Sequence, residues 1–549
     1  IWWALGAYIA VGWLVFELIQ QIAESAGQPW LPNVALVLLL IGLPIVVGTA
    51  LVRDRPVEDA SETPGQASGA PTTRVATTPG DASVVVLPMD NIGGREDIAY
   101  LSQGITEQIT SQLAKVSELK VISRTSAETV TGYNLTIPEI ADRLGVEHVV
   151  EGSVQLFGEQ IRVTAQLIHA ASDEHLWADS YDGQLQDLFA LQEDIAIQVA
   201  SALTSAVGGI REINEASRTE DPEAYEAYLI GKSQLHTRSR SGMLAAVESF
   251  ERSIAQDPNY APGYAGLAMT YGLFTIYGHP ELNGYELHGR GMRMADRAIE
   301  LDENVGEAYA ARGYLEHKGL GPAESIEADF QRALELSPNS TDAHGWYASF
   351  LMREGRYDQS FAESAKAVEI DPLSAPKRLG ASTDAITAGR YDVAIQQAQR
   401  GLEIDPTLPL LQFNEALSNL LNRRPGSCLD ILGDTSSGLR AMCRHSLRDE
   451  GGAMQIVDSL KSTLGSANEP QDHEEMLLYK EIAMFYAWIG DVDETLHWLE
   501  RGFTWSHNTL PIEQVNGPVF NGIRQDPSYQ SGLELIQARI RERLLQAAG

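Results

Sequence analysis

The residues that could do chemistry are sparse in this 549-residue sequence, and their spacing does not predict a catalytic site. Gly231-Lys232-Ser233 has the form of the end of a phosphate-binding loop, but Glu226 stands where such a loop needs its first glycine. Neither a Gly-x-Ser-x-Gly nucleophile elbow nor a His-Glu-x-x-His zinc motif occurs in the sequence. We therefore predict a protein that is not an enzyme and that has no catalytic residues, no metal and no cofactor.

The histidines and paired acids have simpler explanations than metal binding or acid–base catalysis. His169 and His175 flank a predicted strand turn, where we expect them to pack or to face water rather than to bind a metal ion. Glu193 and Asp194 lie on a predicted helix surface, so we expect solvated charges. Side chains in such positions need no functional role.

The cysteine count and the net charge limit the class of protein further. Cys428 and Cys443 are too few for a disulfide framework or a four-thiolate zinc site, and in a cytoplasmic location both should be free thiols. The sequence carries 75 Asp+Glu against 40 Lys+Arg, a formal net charge of −35. A surface that acidic repels phosphate backbones, so we predict no nucleic-acid partner.

Two apolar segments near the start predict a transmembrane helical hairpin within residues 1–53. Residues 2–19 contain one charge, Glu17, and residues 34–52 contain none. Each segment is about as long as a helix that spans a ~30 Å hydrocarbon core. A cleaved signal peptide would be followed by soluble sequence, whereas here a second apolar segment follows. We therefore predict that the lipid bilayer is one binding partner.

The orientation of this hairpin rests on few charges. Arg53 and Arg55 follow the second segment, and positive charge tends to stay in the cytoplasm, so we predict a bacterial inner-membrane protein whose soluble part is cytoplasmic. A periplasmic location is the alternative. The sequence begins at Ile1 rather than Met, and we expect an upstream segment. Residues 54–82 are rich in Pro, Gly, Ser, Thr and Ala and are typical of a flexible linker.

Residues 83–207 have the pattern of a small α/β domain. A buried strand (SVVVLPM), an amphipathic helix (AYLSQGITEQITSQLAKV), a second strand (LKVIS) and a short helix (IPEIADRLG) come first. The segments HVVEGSVQLF, QIRVTAQLIH and EHLWADSY then predict an antiparallel meander, because apolar and polar residues alternate in the middle strand. A helix with an apolar stripe through Ile195 and Val199 closes the domain.

This stretch resembles the TolB N-terminal-like (FlgO-like) domain of bacterial proteins that also carry tetratricopeptide repeats. The resemblance is carried by VVVLPMDNIGG, YLSQGITEQITSQLAKVSELKVISRTSA, EIADRLGVEHVVEGSVQLFGEQIRVTAQLIHAASDEHLWADSYDG and DLFALQEDIAIQVASAL. Such proteins begin with a cyclase, a kinase, a winged-helix domain or only a membrane hairpin. The resemblance implies an assembly or sensing module and does not imply catalysis.

After a linker at 208–220, residues 221–549 predict an α-solenoid of tetratricopeptide repeats with a C-terminal cap. Pro338, Pro372 and Pro406 are 34 residues apart in LELSPNS, VEIDPLS and LEIDPTL, which is the period of this repeat. We predict good copies at 227–260, 261–305, 306–340, 341–374 and 375–408, a degenerate copy at 409–450, and another copy at 482–503. An insertion at about 276–290 is expected to lengthen one loop, and the residues from 518 are expected to cap the solenoid.

The first helices of such repeats line a concave groove. Five residues at groove-facing positions are predicted to bind a partner: Met269, Tyr314, His317, Ser349 and Thr383. They are neutral to mildly apolar, which favours a helix or an extended apolar peptide over an acidic tail. The alternative, that these side chains pack between repeats or are solvated, stays open.

The sequence as a whole predicts a mainly α, multidomain, membrane-anchored scaffold that recruits protein partners through its repeats. Self-association is a second interaction to consider. A periplasm-facing envelope sensor or transport accessory protein is the alternative function. A regulatory part of a cyclase or kinase system is a third, because relatives of the α/β domain carry such enzymes, although no catalytic residues support it here.

Overall fold

A computed structural model describes residues 82–92, 99–116, 119–133, 135–157, 160–184, parts of 194–202, 219, 221–282, 284–464, 473–503 and 517–548. The predicted hairpin segments 2–19 and 34–52 lie outside these residues, as does the predicted linker up to residue 81. Among the helices that are described, none is both long enough and apolar enough to cross a membrane.

Residues 82–202 form the α/β module, which is built on one mixed sheet. Its elements are β1 (Ala82–Val86), β2 (Asp90–Ile92), α1 (Ala99–Leu113), β3 (Leu119–Val121), α2 (Arg124–Thr131), α3 (Ile137–Leu144), β4 (His148–Phe157), β5 (Gln160–His169) and β6 (Glu174–Gln184). The strand order is β3-β1-β4-β5-β6, with β2 also pairing with β4. The predicted antiparallel meander is confirmed, because β5 pairs antiparallel with both β4 and β6.

Hydrophobic layers cover both faces of this sheet. Strand β1 pairs in parallel with β3 and β4, and its residues 83–86 are all buried, as expected for a strand packed on both faces. Ile105 and Ile109 of α1 pack on one face together with Ile195 and Val199. Helices α2 and α3 cover the other face. The sequence pattern did not indicate α2, which begins at an N-cap formed by Ser123.

Eight helix pairs, repeats 1 to 8, are described between Pro222 and Phe503. Their first helices are α4 (Pro222–His236), α6 (Ala261–Tyr277), α8 (Gly306–Lys318), α10 (Thr341–Arg353), α12 (Ala375–Thr387), α14 (Pro409–Leu421), α16 (Gly438–Ser446) and α18 (His473–Ile489). Their second helices are α5 (Arg240–Gln256), α7 (Gly284–Leu301), α9 (Ala323–Leu336), α11 (Tyr357–Ile370), α13 (Tyr391–Ile404), α15 (Pro425–Leu432), α17 (Glu450–Thr463) and α19 (Val492–Phe503).

Small residues allow the helices of neighbouring repeats to approach closely. Phe250 on α5 is fully buried against Gly231 on α4 and Gly266 on α6. A Cβ atom at Gly231 or Gly266 would lie 2.7 or 2.6 Å from the Phe250 ring, closer than van der Waals contact permits. Five alanines, one on each second helix from α5 to α13, are also buried: Ala246, Ala295, Ala333, Ala367 and Ala394.

The solenoid ends in a cap that returns to its beginning. Helix α20 (Pro527–Ala548) buries Tyr529, Ile536 and Ile540 and packs against α19 of the last repeat. It also packs against α7 of repeat 2, and Tyr285 of α7 joins the C-terminal hydrophobic cluster. The solenoid is therefore curved enough for the C-terminal helix α20 to contact repeat 2.

Two details of the predicted repeat pattern were wrong. The segment predicted as one degenerate copy, 409–450, contains repeat 6 and the first helix of repeat 7, because a short second helix, α15, hides the period. The insertion near 276–290 mainly lengthens helices rather than a loop. Helix α6 has 17 residues and α7 has 18, against 13 and 14 in the helices of repeat 3.

Candidate functional site

The interface between the α/β module and the repeats is rich in polar contacts. It begins at the turn between repeats 4 and 5. Leu373, from this turn, is buried in the same hydrophobic cluster as Val85, Ile122 and Ala127 of the module. One of the module's two hydrophobic layers is therefore completed by a residue from the solenoid.

Hydrogen bonds fix this turn against the start of α2. The carboxylate of Asp371, which is 3% exposed, accepts from Ser123 Oγ at 2.5 Å and from Ser126 Oγ at 2.6 Å. Ser126 Oγ in turn accepts from the Leu373 N–H at 2.9 Å, and the Ser123 N–H donates to the Ile370 carbonyl at 2.8 Å. Each polar group in this buried contact has a partner, as burial requires.

The turn between repeats 3 and 4 makes a second contact through one amide side chain. Asn339 Nδ2 donates to the carbonyls of Ala114 and Leu119 at 3.1 and 2.9 Å. Asn339 Oδ1 accepts from the Val121 N–H at 3.1 Å. An amide supplies the two donors and one acceptor that these backbone groups need, whereas a carboxylate could only accept.

Helix α4 makes the third contact with the module. A Cβ atom at Gly104 would lie 2.7 Å from Leu229 Cδ1, so α1 and α4 touch where α1 has no side chain. Ser233 Oγ donates to Gln103 Oε1 at 3.0 Å. A cavity of about 130 Å³ lies beside this contact, with Arg124 and Glu107 in its wall.

Lys232, the lysine of the Gly-Lys-Ser sequence, has a structural role in the middle of α4. Its Nζ lies 2.6 Å from Glu307 Oε1 on α8 and 3.7 Å from Glu107 Oε1 on α1. Burial alone would lower the pKa of Lys232, but the two carboxylates outweigh it and raise the pKa above its ordinary value. Lys232 thus links the module to repeats 1 and 3.

Glu128 on α2 forms a second charged link between the module and α4. It accepts from Arg124 Nε at 2.6 Å and lies 3.2 Å from His236 Nε2. Burial alone would raise the pKa of Glu128, but the hydrogen bonds from His236 and Arg124 outweigh it and hold the pKa at about 2. The ionised carboxylate is therefore the form that stabilises this contact.

A third charged cluster joins repeats 1, 4 and 5 to one another. Asp342 at the start of α10 lies 2.6 Å from Arg238 Nη2 and 2.8 Å from Lys377 Nζ. Burial would raise the pKa of Asp342, but the two cations outweigh it and hold the pKa far below its ordinary range. This cluster fixes the curvature of the first five repeats beneath the docked module.

The five predicted groove residues fall into two groups. Met269, Tyr314 and His317 are buried, and the Tyr314 ring stacks on Trp346 with centroids 4.4 Å apart. Ser349 and Thr383 are partly exposed. Thr383 Oγ1 accepts from Asn414 Nδ2 at 2.9 Å. A binding role for these residues stays a prediction.

The other residues singled out in the sequence lie apart from the interface. His169 Nδ1 lies 2.8 Å from Ser172 Oγ, and His175 Nδ1 lies 3.0 Å from Gln166 Oε1. Asp194 is exposed, and Glu193 lies outside the described residues. Nowhere in the described ranges do three or more His, Cys, Asp or Glu side chains form a group that could hold a metal ion.

The cysteines differ from the expectation of free thiols for a cytoplasmic protein. Cys428 on α15 and Cys443 on α16 form a disulfide with their Cα atoms 6.5 Å apart, and both are fully buried. The pairing follows from helix geometry, because the two helices of adjacent repeats pack with these residues face to face. The bond requires no movement of the backbone.

The fold defines the chain as a tetratricopeptide-like helical repeat protein with a docked α/β module. No protein-family model matches the chain. The chain is 34% identical over 215 residues to a curated protein of Rhizobium meliloti (strain 1021) named "Putative adenylate cyclase 3", covering 39% of this chain and 36% of that protein. The chain thus spans about a third of the length of this relative.

Among solved structures, similar chains are also repeat proteins. PilF of Pseudomonas aeruginosa is 14% identical, with a TM-score of 0.30, over 40% of this chain and 97% of its own. A tetratricopeptide repeat protein from Parabacteroides merdae ATCC 43184 is 15% identical, with a TM-score of 0.31; the match covers 47% of this chain and 98% of that protein. At such scores the repeat assignment rests on the helix pairs of this chain. The resemblance to TolB-like domains has no counterpart in these comparisons and stays a prediction.

Asn339→Asp tests how much the Asn339 amide contributes to holding the module on the repeats. The carboxylate would face two carbonyl oxygens, and we expect docking to weaken by about 2–4 kcal/mol because both donated hydrogen bonds become repulsive. Hydrogen exchange measured by mass spectrometry should show the segment containing Val121 losing at least about tenfold in protection. Asn304→Asp is the matched control, because Asn304 lies at the same position of the preceding repeat turn and is exposed. Equal protection in both variants would contradict the assignment.

Glu128→Gln tests the charged link through its pH dependence. Because the folded pKa lies below the ordinary value of 4.5, the stability that the carboxylate contributes is present above pH 4.5 and is lost toward pH 2. We expect Glu128→Gln to lower the free energy of unfolding at pH 6 and the deficit to shrink as the pH falls to about 3. Urea unfolding of both proteins at matched pH values measures this deficit. A deficit that does not change with pH would show that the charge of Glu128 is not responsible.

Proposed function

We propose that this protein is a non-enzymatic scaffold whose repeats recruit a protein partner while the docked module fixes the position of the repeats. The main support for this proposal is the stack of eight helix pairs. The module is hydrogen-bonded to repeat 1 and to the turns that join repeats 3, 4 and 5. Stacked helix pairs offer an extended surface that neighbouring repeats build together. The ionisable side chains at the interface bind one another, which fits a structural role for this interface.

The partner that fits best is an extended or helical apolar segment bound along α10 and α12. Ser349 and Thr383, one on each of these helices, are the predicted groove residues that keep exposed surface. The contact between α20 and α7 shows that the row of repeats is curved. This curvature limits the width of the concave groove along the first helices. A narrow segment enters such a space more easily than a folded domain.

Membrane anchoring is part of this proposal and rests on the sequence. Two apolar segments at 2–19 and 34–52 would hold the scaffold at the bacterial inner membrane, and the linker at 54–82 would give it reach. Anchoring raises the local concentration of a recruited partner without any chemistry. The α/β module would serve there in assembly or sensing, as the resemblance to TolB-like domains implies.

A periplasm-facing envelope sensor or transport accessory protein is a second candidate, and the paired cysteines favour it. Disulfides persist in the periplasm and are rare in the cytoplasm, where thiols are kept reduced. Cys428 and Cys443 lie at bonding distance in the folded chain. The charges of Arg53 and Arg55 favour the cytoplasmic location instead, so these two observations support opposite sides of the membrane.

A regulatory role in a cyclase system is a third candidate, raised by the name of the Rhizobium meliloti relative. That protein is similar over 36% of its length, and its name concerns the whole protein. We propose that the shared part corresponds to a recruiting or regulatory region.

Thr383→Arg tests the recruiting surface. A bulky cation on α12 should obstruct an apolar segment, and we expect at least about a tenfold loss of partner recovered by in-cell cross-linking. A tenfold loss corresponds to about 1.4 kcal/mol, which is less than the ~2 kcal/mol or more that a hot-spot change costs. The matched control is Gln396→Arg on α13, an exposed position on the second helix of the same repeat. Equal recovery with both variants would exclude this surface, and an unchanged circular dichroism spectrum would show that both variants fold.

Thiol alkylation distinguishes the two orientations. Cells are quenched in acid, denatured, and treated with a maleimide polymer before or after reduction, because the folded protein buries both sulfur atoms. A periplasmic soluble part should be modified only after reduction. A cytoplasmic one should gain two polymers without reduction, which would remove the support for the envelope-sensor candidate.

A further inference from the structure

Repeats 6 and 7 enclose a cavity that belongs neither to the docking interface nor to the predicted groove. It measures about 520 Å³ and lies where α15, α16 and the start of α17 meet. Leu429 and Leu447 form apolar parts of its wall, and Arg440 and Arg444 form its cationic part. The cavity opens to solvent and is large enough for a small organic molecule.

The two arginines lie one turn apart on the same face of α16 and have hydrogen-bonding capacity to spare. Arg440 Nη2 donates to Asp434 Oδ1 at 2.8 Å, and Arg444 Nη1 donates to Asp449 Oδ2 at 2.8 Å. The Nε atoms of both arginines are buried, and neither finds an acceptor among the described residues. Because these two Nε atoms are shielded from solvent, a ligand in the cavity would have to bind the terminal Nη groups instead.

The acidic residues around the cavity differ in how firmly they hold the arginines. Asp434 is fully exposed, so its ion pair with Arg440 contributes little and can be exchanged. Asp449 caps the start of α17, where its carboxylate also accepts a hydrogen bond from the Gly452 N–H at 3.0 Å. The Arg444 side chain is 35% exposed although its Nε atom is shielded, so its Nη groups are the donors that a ligand can reach. Guanidinium N–H groups bind carboxylates and phosphates with strong, charge-assisted hydrogen bonds. Asp430, a third acid in the wall, limits the charge that a ligand can carry.

We propose that this cavity is a binding site for an oxyanion, a phosphate or carboxylate group carried by a small, partly apolar molecule. The oxyanion takes the place of Asp434 at Arg440 and bridges to the Nη groups of Arg444, and its apolar part contacts Leu429 and Leu447. Cys443 lies between the two arginines on α16, and its bond to Cys428 ties α16 to α15. The cavity wall is thus held in place from behind by the disulfide.

Titration of the full chain with inorganic phosphate and, separately, with succinate tests the site. Binding is measured by isothermal calorimetry at constant ionic strength, and we expect saturation with at least one of the two probes. Saturation by phosphate alone would identify a ligand with a phosphate group. Saturation by succinate alone would identify a ligand with a carboxylate group, and saturation by both would show that the site accepts either group. The absence of saturable binding with both probes overturns the proposal.

Variants separate a built site from general attraction of anions. Arg440→Gln and Arg444→Lys should each weaken binding by about tenfold; the lysine retains the charge but lacks the planar guanidinium with its Nη donors. Arg424→Gln removes the same charge from an exposed side chain that is not in the cavity wall, and it should bind like the parent chain. Equal weakening by Arg424→Gln would mean nonspecific attraction and would overturn the proposal. The circular dichroism spectrum and the Cys428–Cys443 bond serve as checks on folding.

Discussion

The rest of the described structure depends on one constraint, the completion of the α/β module by the turn between repeats 4 and 5. Leu373 enters the module's hydrophobic core, and Asp371 accepts two hydroxyl hydrogen bonds at the start of α2. An apolar contact alone would allow sliding, because the hydrophobic effect has no direction. The buried carboxylate supplies the direction, since moving it away from Ser123 and Ser126 would leave it unsatisfied. The module therefore packs on the solenoid in one defined position.

The curvature of the solenoid follows from a second requirement, that each helix pair buries an apolar face against its neighbours. Glycines and alanines set how closely successive helices approach, as Gly231 and Gly266 do around Phe250. Ion pairs such as Asp342 with Arg238 and Lys377 join residues that are distant in sequence but close across the curve. The final helix, α20, covers the last repeat and also contacts α7 of repeat 2, so the two ends of the solenoid lie close together.

Sequence patterns predicted the local elements well because those depend on neighbouring residues. The period of Pro338, Pro372 and Pro406 gave the repeats, and alternation in β5 gave the meander. The docking residues were not predictable in this way. Asn339 and Asp371 lie at turn positions that carry Asn or Asp in other copies, such as Asn304, so their residue types do not reveal the partner that each one meets. Contacts across more than 200 residues leave no periodic signal.

The same turn that holds the module also begins the helix proposed to bind a partner. Ser374 follows Leu373 directly and caps α12, accepting from the Lys377 N–H, and Thr383 lies two turns further along that helix. A rigid helix joins the two sites without any loop between them. Coupling between sites nevertheless requires two states that each ligand distinguishes. Suppose that the module has an undocked state and that a partner at Thr383 prefers the position that α12 has in one of the two states. The factor by which docking changes the affinity of the partner must then equal the factor by which the partner changes the docking equilibrium.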